Sequence, residues 1–230
     1  MIEYRIRVEN KESVAREADR ECVMRRAGKL VAGLCLAALL CAGCGQEQGP
    51  ATVKENALVI SDKGEVTAFV VGELDRSYYD REELANMARA EADAFNERYK
   101  TGEQALVSVE QVEPLEETGK VVVTYHFDSA DSYSQFMGQY EDSSLFYGTV
   151  AEAASRGYLS GAGLADVKDG TSLTEEGLKQ HGERYLVITS AKASVYCPAK
   201  VTHVSKGAAM NEDNSVGTFQ AEGTVYILLK

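Results

Sequence analysis

Lys120-Val121-Val122-Val123-Thr124-Tyr125-His126-Phe127 is the stretch on which the fold class turns. Side chains of a strand point alternately to opposite faces. Val121, Val123, Tyr125 and Phe127 therefore share one face, and Val122, Thr124 and His126 share the other. Upstream, Asp80-Arg81-Glu82-Glu83 has the form of a capping box, in which Asp80 accepts from exposed amides and Glu83 reaches back to the cap amide. Leu84, Met87, Ala88, Ala92, Phe95 and Tyr99 then recur at helical spacing until Thr101-Gly102 stops the helix. A strand pattern and a helix pattern side by side predict an α+β protein.

The same reading extends in both directions. Leu58–Ile60 and Val66–Val71 flank the turn signal Ser61-Asp62-Lys63-Gly64 and read as a hairpin. Leu106–Val112 pairs with residues 120–127 across an acidic loop, Pro114–Gly119. Ser129 can cap a short helix carrying Tyr133, Phe136, Met137 and Tyr140. Thr149-Val150-Ala151-Glu152 is a second capping box, closed by Gly157. Hairpin–helix order thus recurs in residues 57–100 and 105–157. From Tyr185 on the chain reads as β, after a short helical turn at Thr174–Lys179: Tyr185–Thr189, Ala193–Tyr196, Lys200–Val204, Val216–Ala221 and Thr224–Leu229. The expected architecture is a mostly antiparallel sheet with two or three helices and a β-rich C-terminal third. Residues 57–230 are expected to form one domain, with a subdomain split near residues 170–182 as the alternative.

Composition narrows the function classes. Of 230 residues, 44% are hydrophobic, too many for a disordered chain. The 36 acidic residues outnumber the 24 basic ones, for a net charge of -12, which opposes nucleic-acid binding. Eight Lys/Arg and six Asp/Glu lie in residues 1–44, so residues 45–230 carry 16 basic and 30 acidic groups and a net charge of -14. Four of the five cysteines, Cys22, Cys35, Cys41 and Cys44, also lie in residues 1–44, leaving only Cys197 beyond. A domain with one cysteine has no internal disulfide.

The first 44 residues read as an address. Arg25, Arg26 and Lys29 precede the apolar run Leu30–Ala42, and no charge occurs over the 17 residues Leu30–Gln46. A bilayer-spanning helix needs about 20 apolar residues, so this segment is short for an anchor. A basic start, an apolar run and small residues at its end describe an export signal. Met1–Val23 is polar and mixed in charge, and reads as an extension upstream of a start at Met24. Residues 24–43 are then the signal peptide, and residues 44–56 an attachment point and flexible tether with a root-mean-square reach of about 20 Å.

Ala42-Gly43-Cys44 resembles the bacterial lipobox, with Cys41 where that signal usually has Leu. The resemblance implies a fatty-acyl (palmitate-class) diacylglyceryl group on Cys44 and cleavage after Gly43. It places the protein on the extracytoplasmic face of the cell membrane as a lipoprotein. The mature chain is similar to uncharacterised lipoproteins of Gram-positive bacteria through the lipobox, the tether, the hairpin opening at Leu58–Ile60 and the helix start at Tyr79-Asp80. Val195–Val201 and Tyr226–Leu228 resemble the β-rich module of other small lipoproteins, with Ala199 where those have Gly. These likenesses imply a location and no reaction.

Candidate chemistry is sparse. His126, His181 and His203 lack the spacing of a helical zinc site, and the reading assigns no metal and no cofactor. Cys197 with His203 could form a thiol–imidazole couple, though a buried inert thiol is the simpler expectation. Asn211, Asp213, Ser215 and Glu222 fall at calcium-loop positions, but Val216 stands where the sharp turn needs Gly. Gly157-Tyr158-Leu159-Ser160-Gly161 misplaces the serine of a nucleophile elbow by one residue, and Gly161-Ala162-Gly163 lacks the third glycine of a dinucleotide loop. The pairs Glu82/Glu83, Glu116/Glu117 and Glu175/Glu176 fit helix starts or a loop. Aromatics concentrate between Tyr125 and Tyr158. Tyr133, Phe136 and Tyr140 read as a core face, and alternatively, with Tyr147, as a ligand groove. The expectation is a non-enzymatic module that binds a protein or small-molecule ligand near the membrane and no nucleic acid. The alternative is a cell-envelope hydrolase with a carboxylate or Cys-based site.

Overall fold

The computed structural model describes residues 52–73, 80–115, 118–140 and 142–230. All described residues belong to one compact unit. Cys44, Tyr79, Glu116, Glu117 and the signal and tether up to Ala51 lie outside the described residues.

β1 (Ala57–Ile60) and β2 (Val66–Glu73) form the expected hairpin. α1 (Arg81–Tyr99) starts where Asp80 accepts from the amides of Glu82 and Glu83, at 2.7 and 3.0 Å. Its buried face is Ala85, Ala88, Ala92 and Phe95. Met87, expected on that face, is 40% exposed, because it lies roughly a third of a turn round the helix from them. β3 (Val107–Leu115) and β4 (Lys120–Phe127) form the second hairpin, with a bulge between Val109 and Gln111. α2 (Ala130–Met137) is capped by Ser129, which accepts from Ser132 N at 3.1 Å.

β5 (Leu145–Thr149) leads directly into α3 (Val150–Ser155). Thr149 and Glu152 make both halves of the capping box there. Then follow β6 (Leu164–Asp166), β7 (Ser172–Leu173), α4 (Glu175–Lys179), β8 (Tyr185–Thr189), β9 (Ser194–Tyr196), β10 (Val201–Ser205), β11 (Ala209–Met210), β12 (Val216–Gly217) and β13 (Val225–Leu229). The strand expected over Val216–Ala221 ends at Gly217. There the Thr218 hydroxyl is shared between the carbonyls of Ala191 and Ala193, at 2.6 and 3.0 Å, and turns the chain.

The strands make two sheets, in the orders β11-β12-β9-β1-β2-β4-β3 and β5-β8-β13-β10-β6-β7. Every neighbouring pair is antiparallel except β1 with β9. The α+β class, mostly antiparallel with a β-dominated C-terminal part, is therefore borne out, with two sheets and four helices among the described residues where the sequence predicts one sheet and two or three helices. No helix among the described residues is long and apolar enough to cross a membrane.

Alternation places the core. Leu58, Ala68, Val123, Tyr125, Phe127 and Val195 of the first sheet share one cluster with Ala92 and Phe95 of α1 and Phe136 of α2. Val225, Ile227 and Leu229 of β13 join the same cluster, whereas Leu228 belongs to a second one with Val150, Ala153 and Leu178. The second sheet is thus buried on both faces, against the first core on one side and α3 and α4 on the other. Phe136 is the hub of the aromatics: its ring lies 5.3 Å from Phe95, 5.5 Å from Tyr125 and 5.6 Å from Phe127.

Candidate functional site

The sequence motifs for a groove separate in the structure. Tyr133 and Phe136 are buried at 2% and 1% exposure, on the face of α2 turned to the first core. They cannot line an open groove, which corrects the groove reading for both. Tyr140 lies beyond the end of α2 and is 47% exposed. Tyr147 sits in β5, half-buried, stacked on Tyr185 with ring centres 5.1 Å apart. Burial, reinforced by the nearby Tyr185, Cys197 and Asp62, pushes its hydroxyl up to about 12.

Tyr140 borders an open hollow of about 510 Å³, lined also by Gln139, Asp142, Ser143 and Ser144. Local chemistry builds its floor. α2 stops at Gly138, where a Cβ would come within 2.6 Å of the Ser134 carbonyl oxygen. Ser134 Oγ donates to Leu145 O at 2.8 Å and accepts from Leu145 N at 2.7 Å, tying the helix to β5. Ser143 Oγ is 2.8 Å from the Tyr133 hydroxyl in the buried wall. Ser190 Oγ donates to the carbonyl of Asp142 and accepts from the amide of Ser144. The Tyr140 ring packs edge-on against Phe136 at 5.7 Å, and its hydroxyl hydrogen-bonds the Glu91 carboxylate on α1. Burial raises the Glu91 carboxyl above its ordinary range, and the Tyr140 bond partly offsets this.

The entry of the chain into the domain lies at the same end. Glu55 accepts from Ser194 Oγ at 2.9 Å, Asn56 Oδ1 accepts from Val71 N at 2.9 Å, and Asn56 O accepts from Ser194 N at 2.9 Å. Ser190 at the hollow and Ser194 at this junction are four residues apart. At about 3.5 Å per residue, the two cannot be more than roughly 15 Å apart. A small cavity of about 20 Å³, room for one water, lies between them, lined by Asn56, Tyr133, Met137 and Lys192.

A second polar cluster escaped the sequence reading. On the second sheet, Arg184 donates through Nε and Nη2 to the carbonyl of Leu229, and through Nη2 to Thr202 Oγ1. His203 Nε2 is 3.9 Å from Asp166 Oδ2. Burial lowers the His203 imidazole below its ordinary value. Arg184 was invisible because its partners, the Leu229 carbonyl and the Thr202 hydroxyl, lie 45 and 18 residues away in sequence.

Cys197 and His203 are not brought together. The thiol faces the first core, and burial pushes it up to about 12, while His203 faces Asp166. Of the calcium-like residues, Asn211, Asp213 and Ser215 form a hairpin turn between β11 and β12, and Glu222 lies beyond β12. Asp213 accepts from Tyr196 OH at 2.5 Å and from Ser215 Oγ at 2.7 Å, and Asn211 donates to Ser215 Oγ at 2.9 Å. Both Asp213 carboxylate oxygens and the Ser215 hydroxyl are bonded within the protein. Among the described residues no group of three or more His, Cys, Asp or Glu side chains could hold a metal ion. His126 lies on β4 opposite Thr67 and Ser108, apart from the other two histidines. Glu175 accepts from Gly161 N and pairs with Lys179, so it braces α4.

No family model, no curated protein and no solved structure matches the chain.

Proposed function

We propose that this chain is an exported lipoprotein, held by a lipid on Cys44 at the extracytoplasmic face of the membrane, and that its domain binds a ligand or partner there without catalysis. The carrying observation is the run from Arg25 through Leu30–Ala42 to Ala42-Gly43-Cys44, followed by a short tether. Two or more acyl chains anchor stably where one does not. A domain with net charge -14 gains nothing from an anionic leaflet, so the lipid is its hold on the membrane.

The geometry supports the binding half of the reading. Tyr140 is exposed beside a hollow whose floor is already fully bonded, which is the state of a preformed recognition surface. The hollow lies at the end of the domain where Glu55 and Asn56 join it.

Metabolic labelling with a fatty-acid probe tests the address: the wild type should be labelled and Cys44→Ala should not, and equal labelling overturns it. A photo-crosslinking residue at Gln139 tests the binding. It should give a discrete adduct in cells that the same residue at exposed Lys206 does not. Identical products from both positions would remove the binding reading.

A further inference from the structure

We propose that the outer face of the first sheet docks a basic amphipathic helix of a partner protein. This surface is distinct from the hollow beside Tyr140, and the proposal stands whether or not that hollow binds.

Register defines the face. Ala57 and Val59 of β1, Thr67, Phe69 and Val71 of β2, and Val122 and Thr124 of β4 point away from the first core, because their chain neighbours Leu58, Ala68, Val70 and Val123 point into it. Pairing sets Phe69 beside Ala57 and Thr124, and Val71 beside Val122. Among the described residues no helix covers this face. Ala88, Ala92 and Phe95 of α1 and Tyr133 and Phe136 of α2 turn to the first core, and Val150, Ala153 and Leu178 of α3 and α4 to the second. Neither core includes Ala57, Val59, Phe69, Val71 or Val122, and of these Val59, Phe69 and Val71 are half-buried.

Shape and charge select the occupant. A sheet face lacks the concavity of a small-molecule site. The apolar band is three strands wide, about 10 Å from β1 to β4, and a helix with its side chains is about 10–12 Å across. Acid lines both long sides of the band. Glu113 stands across from Val122 on β3. On the β9 side, Glu55 is bonded to Ser194 and Asp213 to Tyr196, the residues that pair with Ala57 and Val59. Lys120 is the only Lys or Arg in the strands of this sheet, and it stands opposite Glu73. A helix with an apolar stripe flanked by Lys or Arg meets this pattern, its basic stems lying along the band and their heads reaching the carboxylates.

The same charge disfavours other occupants. Residues 45–149, which hold β1 to β4, contain 21 acidic and 8 basic residues, against 9 and 8 in residues 150–230. An anionic bilayer and a second copy presenting this face are both repelled.

The test is photo-crosslinking of the full chain in the cells that produce it, with p-benzoylphenylalanine in place of Phe69. Irradiation should give a discrete adduct, and mass spectrometry should place the link in a partner segment with apolar residues at helical spacing flanked by Lys or Arg. The same probe in place of Thr67, also on this face, should reach the same partner and guards against a local disturbance at Phe69. Glu113→Lys, a change at an exposed position, should cut the yield by about threefold or more at equal protein level. No adduct from either position would overturn the proposal. So would an adduct to lipid, to a second copy, to residues 1–51 of the same chain or to a segment without basic residues, or a yield unchanged by Glu113→Lys.

Discussion

Oγ1 of Thr202 lies 3.0 Å from Nδ1 of His203. The same oxygen accepts from Nη2 of Arg184, and its own proton goes to the carbonyl of Leu228 at 3.0 Å. A threonine has one hydroxyl proton, so this contact is made either by Nδ1–H of His203 donating or by Thr202 turning its proton from Leu228 to Nδ1. Nε2 of His203 faces Asp166 Oδ2 at 3.9 Å.

This arrangement makes stability depend on pH. Burial is the largest influence on His203 and lowers its proton affinity; Asp166 opposes this, and Arg184 and His181 add to it. A base with a lowered pKa in the folded state binds more protons when unfolded. Its contribution to stability is therefore full above about 6.5 and falls as the pH drops through that value. Urea midpoints measured at neutral and mildly acidic pH should decline for the wild type. His203→Gln should lose the part of that decline near the histidine range while keeping the part at lower pH due to carboxylates. An unchanged slope in the variant would refute this assignment.

Arg184 ties the last strand to β10. Its guanidinium reaches the Leu229 carbonyl and the Thr202 hydroxyl together, a fork that lysine cannot reproduce. Arg184→Lys and Arg184→Met should each cost about 1–3 kcal/mol. Hydrogen exchange should rise at the Lys230 amide, which bonds the Lys200 carbonyl next to this fork. Unaltered exchange there would show that the fork does not hold the strand end.

Phe136 and Tyr140 are four residues apart and should behave differently. Phe136 is 1% exposed and touches four other aromatic rings, so Phe136→Ala should cost about 3–5 kcal/mol by chemical denaturation. Tyr140 is about half exposed, and Tyr140→Ala should cost less than about 1.5 kcal/mol. Equal losses would mean that Tyr140 is a core residue.

Cys197 should be chemically quiet. Burial pushes its thiol up to about 12, so almost none is thiolate at pH 8. In a protein of residues 45–230, where it is the only cysteine, alkylation by N-ethylmaleimide should be slow in buffer and fast in denaturant. Rapid native labelling would show an accessible, activated thiol.

The sequence by itself determined what depends on near neighbours. The Asp80 cap, the apolar stripe of α1 apart from Met87, the alternation of Val121–Phe127 and the capping box at Thr149–Glu152 are local patterns, and they stand in the structure. Charge and the Ala42-Gly43-Cys44 ending are likewise read directly from residue order. The short strands β6, β7 and β11 were illegible because two or three residues carry no period. β5 was hidden because Leu145–Thr149 alternates between two buried faces and so shows no polar side.

Only the tertiary structure decided how distant pieces meet. Glu55 bonds Ser194 across 139 residues, and β1 lies parallel to β9 at that junction. No local preference encodes such a pairing; it follows from which faces are left to bury once the hairpins and helices exist. The separation of Phe136 from Tyr140 has the same origin. Both fit one helical stripe in the sequence, but α2 ends at Met137, between them. One ring goes into the core, and the other stays beside an open hollow.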